Sequence, residues 1–428
     1  MKTSEIFDGL LANLKVDNSE TIAMRRDEIT KVLNKEFRGL DGSISNQLMV
    51  GSYGRRTAIR GISDLDMLYF LPATQWDTYK GESGPSAVLS RVCKAIQARY
   101  TSTSVKVASP VVVVEFQNFM FEVQPVFEQP DGSFKYPDTG SKSWKETKPR
   151  DEIKEVSAYD DITSGSMRKL CKMVRAWKNK HGVAMGGLLI DTLVYNFFQK
   201  TTDYDNVTTA KYDLMVRDLF QFLSEEPDHD HYQALGSNQD VKVKKRFQSK
   251  AKTAYELCLK AIDAEGKSTA NAKWKKVFGK PVPATETTKV AASVYSFNET
   301  EQFIEDTYPV DIRYGLTIDC TVTQDGFRST TLRSMLSRRI WLRPQKTLDF
   351  NIVQCDVPDP YTIKWKVLNR GDEAERRNLV RGQIIDKNAK AHREATQFRG
   401  EHYVECYIIK NGVVVARDHI DVPIATTL

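Results

Sequence analysis

Two aspartates separated by a single residue are the strongest candidates for catalysis in this 428-residue chain. Asp64 and Asp66 fall in the alternating run 63–70, which predicts a β-strand. Side chains two apart on a strand share a face, about 6 to 7 Å from each other, so the two carboxylates repel unless a cation lies between them. Mg²⁺ fits best, because it prefers one or two carboxylates completed by substrate phosphates. Upstream, Gly51 and Ser52 predict a phosphate-binding turn, since glycine admits a phosphate close to the backbone and the serine donates hydrogen bonds.

A third acid would complete a two-metal site, and Glu122 is the candidate. It is flanked by apolar residues in a predicted hairpin with arms at 111–116 and 119–127. With those neighbours in the core, Glu122 would face the aspartates. One ion would then neutralise a triphosphate, and the other would activate a hydroxyl for in-line displacement of pyrophosphate. Two alternatives stay open: Glu115 on the partner arm competes as the third acid, and an isolated aspartate pair on a surface strand is more often merely solvated.

Helices and strands must position these residues. Apolar spacing predicts helices within residues 1–45, over 86–99, and through most of 153–223 and 241–278. The break at 281–283, Pro-Val-Pro, marks a boundary. Beyond it the alternating run 361–367 and a hairpin, 403–409 with 413–416 around Asn411-Gly412, predict a small β-sandwich.

The strings around the site resemble a known family. They are similar to the nucleotidyltransferase signature of the polymerase-β superfamily, and specifically to the cGAS/DncV-like nucleotidyltransferases (CD-NTases), relatives of oligoadenylate synthetase in bacterial anti-phage (CBASS) signalling. The strings that carry the resemblance are GSYGRRTAIRGISDLDML, FEVQPVF, GSFKYPD, MRKLCKMVRAWKNKHGVAMGGLLIDTL and ALGSNQDV. After residue 300, FIEDTYPVDIRYGLTIDC, YTIKWKVLNRG and GEHYVECYIIKNGVVVARDHIDVP resemble the adenylyl/guanylyl-and-SMODS sensor (AGS-C) domain of one subset of these enzymes.

The resemblance implies an α+β fold: a polymerase-β-like nucleotidyltransferase core plus a helical domain, followed by a C-terminal β-sandwich. The expected domains are the catalytic core at 1–150, a helical nucleotide-binding subdomain at 151–284, a linker at 285–300 and the sensor at 301–428.

The resemblance also implies site roles. Asp64, Asp66 and Glu122 would be catalytic and bind two Mg²⁺ ions, with Mn²⁺ as a substitute, while Gly51 and Ser52 would hold the donor triphosphate. The chain departs from the family at one ligand, since the third acid is usually Asp and here is Glu122. Its longer arm would shift the metal geometry, so reduced or altered activity is one expected consequence.

Three further residues are candidate nucleotide contacts. In the predicted helix at 167–180, Lys172 and Arg175 lie opposite the apolar face, and a solvated basic face is the ordinary interpretation. The family resemblance makes both contacts to the triphosphate or the acceptor strand. Tyr136 would stack on a base at the cleft rim or, equally, anchor its loop.

The expected activity is joining NTPs into a cyclic di- or trinucleotide second messenger that activates a separate effector protein during phage infection. Two alternatives remain: a linear oligonucleotide polymeriser or terminal nucleotidyltransferase, and an inactive nucleotide- or RNA-binding module. An RNA or protein cue is expected at the C-terminal domain, on a surface formed by aromatic and basic residues, namely Trp365, Tyr403, Tyr407, Lys364, Lys366, Arg393 and Arg399.

Composition limits the class of protein. With 40% hydrophobic and 28% charged residues, the chain is typical of globular proteins and not of disordered ones. It has no apolar stretch near the ~20 residues needed to cross a bilayer and no secretory leader, so a cytoplasmic location without membrane contact is expected. Six widely spaced cysteines predict reduced thiols. The net charge of +6 arises entirely within residues 1–284, which favours a polyphosphate or nucleic-acid ligand there.

Overall fold

The computed structural model divides the chain into two compact units. The first comprises Met1–Trp177 and Gly186–Pro283, and the second comprises Lys178–Met185 and Ala284–Leu428. The expected linker at 285–300 lies outside the described residues. The structure describes residues 1–284, 301–323, 328–369, 372–377, 380–396 and 399–424.

A seven-stranded sheet organises the first unit. Its order is β1-β2-β5-β4-β3, and β5 also pairs with β6, which pairs with β7. β2 and β5 run parallel, whereas the other pairs are antiparallel. The strands are β1 Gln47–Met49, β2 Asp64–Phe70, β3 Ser104–Ala108, β4 Val111–Glu115, β5 Met120–Glu128, β6 Phe134–Asp138 and β7 Ser143–Thr147. The predicted strand at 63–70 and the predicted hairpin are therefore confirmed.

Helices cover one face of this sheet because alternate residues of β2 are apolar. Leu65 and Met67 point into a buried cluster with Leu33 of the helix Ser19–Arg38 and Val92 of the helix Gly84–Arg99. The aspartates alternate with these apolar residues, so they occupy the opposite face.

Most of the remaining first unit is helical, as the sequence predicts. One segment differs: residues 240–242 form a short strand paired with His231–Gln233, and the next helix begins only at Gln248. The helices not yet given are Thr3–Asn13, Gly51–Gly54, Trp76–Tyr79, Pro149–Ile162, Ser166–His181, Gly187–Lys200, Tyr212–Glu225, Gln248–Ile262 and Ala270–Phe278.

Two four-stranded antiparallel sheets form the second unit, in the orders β11-β10-β12-β15 and β14-β13-β16-β17. Ile318 and Phe350 of the first sheet and Trp365 and Cys406 of the second share one buried cluster, which confirms the predicted sandwich. The strands are β8 His231–Gln233, β9 Asp240–Lys242, β10 Leu316–Thr323, β11 Thr330–Thr331, β12 Thr347–Cys355, β13 Thr362–Leu368, β14 Ile384–Ile385, β15 Ala391–Ala395, β16 Gly400–Lys410 and β17 Val413–Ile424. Short helices span Leu332–Ser337 and Asp372–Arg376.

The predicted hairpin turn is present in the second unit. Asn411 and Gly412 have φ values of 51° and 74°, the left-handed geometry that two-residue hairpins require. All six cysteines are free thiols and five are buried, as predicted. Among the described residues, no helix combines the length and the apolar character needed to cross a membrane.

Candidate active site

The register of β2 and β5 brings the three acids together. Asp66 pairs with Glu122 across the two parallel strands, and Asp64 pairs with Met120. Because paired residues of neighbouring strands project to the same side, the three carboxylates share one face of the sheet. Glu115 pairs with Met120 from β4 and forms an ion pair with Lys106, so it is Glu122 that lies beside the aspartates.

Gly51 closes one side of this site. Its φ of 61° is left-handed, and a Cβ atom added there would lie 1.8 Å from Oδ2 of Asp66. The backbone N–H of Val50 donates to the carbonyl of Asp66 at 2.9 Å, which holds the two segments together. The expected turn at Gly51 is instead the start of a one-turn helix, Gly51–Gly54, entered through this left-handed glycine.

A cavity of about 420 Å³ opens beside the acids, within the usual range for small-ligand sites. Its polar lining comes from Asp66, Glu122, Gln124 and Ser109, and Asp64 is not part of the lining. The other lining residues are Val50, Met67, Leu68, Ala108, Pro110, Val111 and Val113.

The donors suit Mg²⁺ in chemical type and in the face that they share. Mg²⁺ takes oxygen ligands and is usually held by one or two carboxylates together with substrate phosphates. As their side chains stand, no three His, Cys, Asp or Glu residues in the described part of the chain are arranged to hold an ion by themselves. In chemical type and in the face that they share, Asp64, Asp66 and Glu122 are compatible with Mg²⁺ that is also held by substrate phosphates.

A buried ion network supports the glycine-serine segment, and we call it the Asp191 network. Its centre, Asp191, accepts hydrogen bonds from Arg55 Nε at 2.8 Å, Thr57 Oγ1 at 2.9 Å and Arg175 Nη1 at 2.6 Å. Arg55 also donates to Glu152 at 2.9 Å. Burial by itself would raise the pKa of Asp191, but the charges of Arg175 and Arg55 outweigh it and hold that pKa at about 2. Asp191 is therefore ionised at neutral pH, whereas burial raises the pKa of Glu152.

The network reaches Ser52 through the backbone. The carbonyl of Ser52 accepts hydrogen bonds from the N–H of Thr57 at 2.9 Å and of Ala58 at 3.1 Å. Because Thr57 is also bonded to Asp191, the carboxylate fixes the segment on which Ser52 is carried. An added Cβ on Gly187 would lie 3.9 Å from Cβ of Ser52, so the start of the helix Gly187–Lys200 borders the same segment.

The structure places the predicted nucleotide contact Arg175 inside the protein. Its side chain is 6% exposed and does not line the cavity, and its guanidinium contacts Asp191 and the carbonyl of Gly187. Its described contacts thus pair its charge with Asp191, and a contact with the nucleotide stays a prediction. The helical spacing correctly separates Arg175 from the apolar face, but it does not reveal the acid on the neighbouring helix.

Lys172 and Tyr136 remain predicted nucleotide contacts. Lys172 is half-buried, and desolvation is the main cause of its lowered pKa. Tyr136 is also half-buried and packs against a cluster that contains Val50 and Leu68, two residues of the cavity wall. Its position suits either an aromatic contact at the rim or a structural anchor.

The prediction of an aromatic and basic surface on the C-terminal domain is wrong for Trp365, Tyr407 and Lys366, because all three are buried. Trp365 and Tyr407 are 0% and 1% exposed, and they donate hydrogen bonds to the carbonyl of Ala389 and to Glu405. Lys366 is buried and paired with Glu301 at 2.8 Å. These residues belong to the core, because β13 and β16 are covered on both faces over much of their length.

Sequence reasoning also missed several residues of the site. Gln124 lies two residues after Glu122, so strand alternation would have placed it on the same face. Asp191 interrupts the apolar run of the helix Gly187–Lys200, and an acid in such a position predicts a buried partner. No comparable signal points to Ser109 in the cavity wall.

Two family descriptions match the chain. Residues 1–159 match the Second Messenger Oligonucleotide or Dinucleotide Synthetase domain (SMODS), and residues 298–425 match the Adenylyl/Guanylyl and SMODS C-terminal sensor domain. The molecule is thus a nucleotidyltransferase-type domain followed by a sensor-type domain. Both matches agree with the resemblance to cGAS/DncV-like nucleotidyltransferases that carry an AGS-C domain. No curated protein sequence matches it.

Several solved structures have a similar fold. One is a CdnC of Escherichia coli MS115-1 with ATP, which has 15% sequence identity and a TM-score of 0.49. The match covers 66% of this chain and 99% of that one. A 3′-deoxy GTP-bound DncV of Escherichia coli has 15% identity and a TM-score of 0.47 over 64% and 94%. A c-di-GMP synthase CdnE of Capnocytophaga granulosa has 13% identity and a TM-score of 0.46 over 59% and 83%. Likenesses of this size add nothing about the activity of this chain.

Proposed function

We propose that this chain joins NTPs into a cyclic di- or trinucleotide with release of pyrophosphate, as a second messenger that activates a separate effector in anti-phage defence. The observation that carries the proposal is the register of Asp66 with Glu122, which gathers three carboxylates on one face of the sheet. A cavity of nucleotide size lies beside two of them. The family to which residues 1–159 belong supports the same class of product.

Different residues of the chain would bind the metal ions, the phosphates and the rest of the nucleotide. Asp64, Asp66 and Glu122 would hold Mg²⁺, which when bound neutralises the triphosphate and lowers the pKa of the acceptor hydroxyl. Ser52 would donate to the phosphates of the donor nucleotide, and Gly51 keeps the backbone close to Asp66 because no side chain fits there. Gln124 and Ser109 offer hydrogen bonds to the nucleotide that enters the cavity.

The test is incubation of the purified protein with each labelled NTP and with all four, in Mg²⁺ and in Mn²⁺, beside the double variant Asp64→Asn/Asp66→Asn. Asn keeps the size of each side chain but removes the charge that a divalent cation needs. We expect pyrophosphate and a nucleotide product from the wild type and neither from the double variant. A matched control is Asp77→Asn, since Asp77 is an exposed acid of the same unit whose only described contact is the ion pair with Lys80.

The form of the product separates cyclisation from its alternatives. A cyclic product resists phosphatase and has the mass of the linear 5′-triphosphate product less one pyrophosphoric acid, because ring closure also releases pyrophosphate, whereas a linear polymeriser leaves phosphatase-sensitive ends. Equal product from the wild type and the double variant would refute the catalytic assignment. Nucleotide binding without any product would favour the inactive binding module.

A further inference from the structure

A short segment of the second unit combines exposed cations with an exposed tryptophan, and we call residues 338–346 the Trp341 segment. Trp341 is 62% exposed and Ile340 is 47% exposed, both unusual for large apolar side chains. Arg338, Arg339 and Arg343 are also exposed. The segment therefore presents an aromatic ring between guanidinium groups.

Charge is segregated around this segment. Residues 326–348 contain six Lys and Arg and no Asp or Glu, although the chain as a whole is nearly balanced with 62 basic and 56 acidic residues. Arg333 is neutralised by Asp418 at 2.6 Å. Within the described part of the chain, Arg338, Arg339 and Arg343 have no ion pair. Three positive charges thus remain available to a ligand.

The segment is held in place, so its exposure is not that of a loose loop. Leu342 is fully buried and its N–H donates to the carbonyl of Pro423 at 3.2 Å. Thr396 fixes the far end, because its hydroxyl donates to the carbonyl of Arg343 at 3.0 Å and accepts from the N–H of Lys346 at 2.8 Å. Because Leu342 points into the core, its neighbours Trp341 and Arg343 face the solvent.

We propose that the Trp341 segment binds single-stranded nucleic acid. A polyanion is favoured because the stretch offers cations and no acids, and a base is favoured because its ring stacks on an exposed tryptophan. The Cα atoms of Arg338 and Arg343 are at most about 19 Å apart, a span suited to a few nucleotides of extended strand. A folded protein partner could also bind the exposed tryptophan, but such a partner would not explain why the stretch lacks Asp and Glu. The site lies outside the catalytic unit and its binding does not depend on the proposed activity.

The experiment measures fluorescence anisotropy of labelled oligouridylate and oligodeoxyuridylate of about 12 nucleotides, which differ only in the sugar. The full-length protein is titrated in EDTA, so that metal-dependent binding at the catalytic cavity does not contribute. We expect Trp341→Ala to weaken binding about 5- to 150-fold, the range for loss of one stacked base. Arg338→Ala/Arg339→Ala should reduce the slope of log affinity against log salt by about 1.4, since each lost phosphate contact removes about 0.7.

The matched control is Arg376→Ala/Arg377→Ala, a pair of exposed arginines of the same unit that are both paired with Glu373. It should bind like the wild type, and thermal unfolding should confirm that every variant is folded. Whichever oligonucleotide binds more tightly identifies RNA or DNA as the ligand. No binding by the wild type, equal binding by Trp341→Ala, or tighter binding of duplex than of single strand would overturn the proposal.

Discussion

Replacing Asp191 by Asn tests whether the Asp191 network supports the catalytic segment. The carboxylate is fully buried and faces two guanidiniums, Arg55 and Arg175, whose side chains are 4% and 6% exposed. Asn keeps the shape but removes the carboxylate that faces Arg175 and leaves Arg55 with Glu152 as its described acidic partner, a loss of about 3 to 5 kcal/mol for a broken buried pair. For a unit of this size, that corresponds to roughly 6 to 10 °C in the melting temperature.

Helical circular dichroism is the suitable assay, because the described helices of the second unit are short and the signal therefore reports mainly on the first. Glu36→Gln is the control: Glu36 pairs with Arg91 at 2.6 Å with both side chains 39% exposed, so its loss should cost less than about 1 kcal/mol. If Asp191→Asn prevents folding, Thr57→Val removes a single bond to the carboxylate and should cost about 1 to 2 kcal/mol. A melting temperature for Asp191→Asn no lower than that of Glu36→Gln would refute the reasoning.

Three further outcomes are expected. Gly51→Ala should abolish nucleotide transfer, because its Cβ would overlap the carboxylate of Asp66, whereas Gly81→Ala, where no atom lies within 4 Å, should transfer at the wild-type rate. Glu122→Gln should abolish transfer while Glu122→Asp retains part of it, as measured by pyrophosphate release, because only Asp keeps a charged oxygen donor. In urea titrations, the first unit should lose roughly 2 kcal/mol of stability as the pH falls from about 5 to 2, since the lowered pKa of Asp191 stabilises the fold only while the group is ionised. Asp191→Asn should remove that part of the pH dependence.

The catalytic face was predictable because it depends on local periodicity. Alternation in β2 places Asp64 and Asp66 opposite the apolar core, and the hairpin predicts that Glu122 faces a cleft. Alternation does not say which strands are neighbours. The parallel pairing of β2 with β5 decides between Glu122 and Glu115, and it requires a crossover that includes the helix Gly84–Arg99.

The burial of Arg175 and its pairing with Asp191 were not predictable from its own helix. A polar stripe on a helix is normally solvated, and periodicity treats every charge on it alike. What removes Arg175 from the surface is Asp191 on another helix, together with the segment that carries Arg55. Contacts between residues that are distant in the chain, such as Arg55 and Asp191, are not visible in the local sequence pattern. The one sequence signal is Asp191 itself, an acid within an apolar helix.

In the C-terminal domain, a balanced net charge coexists with a local stretch, 326–348, that contains only basic charges. By count, residues 285–428 hold 20 basic and 20 acidic residues, which points attention to the first two thirds of the chain as the place for an anionic ligand. Interactions between exposed charges fade over about 8 Å in physiological salt, so the relevant quantity is the local surplus and not the sum for a domain. Buried Lys366 is cancelled by Glu301, whereas the arginines beside Trp341 have no acid near them in sequence. Because Trp365 is buried and Trp341 is exposed, we place the proposed ligand surface at Trp341. Residue types alone do not distinguish the two tryptophans.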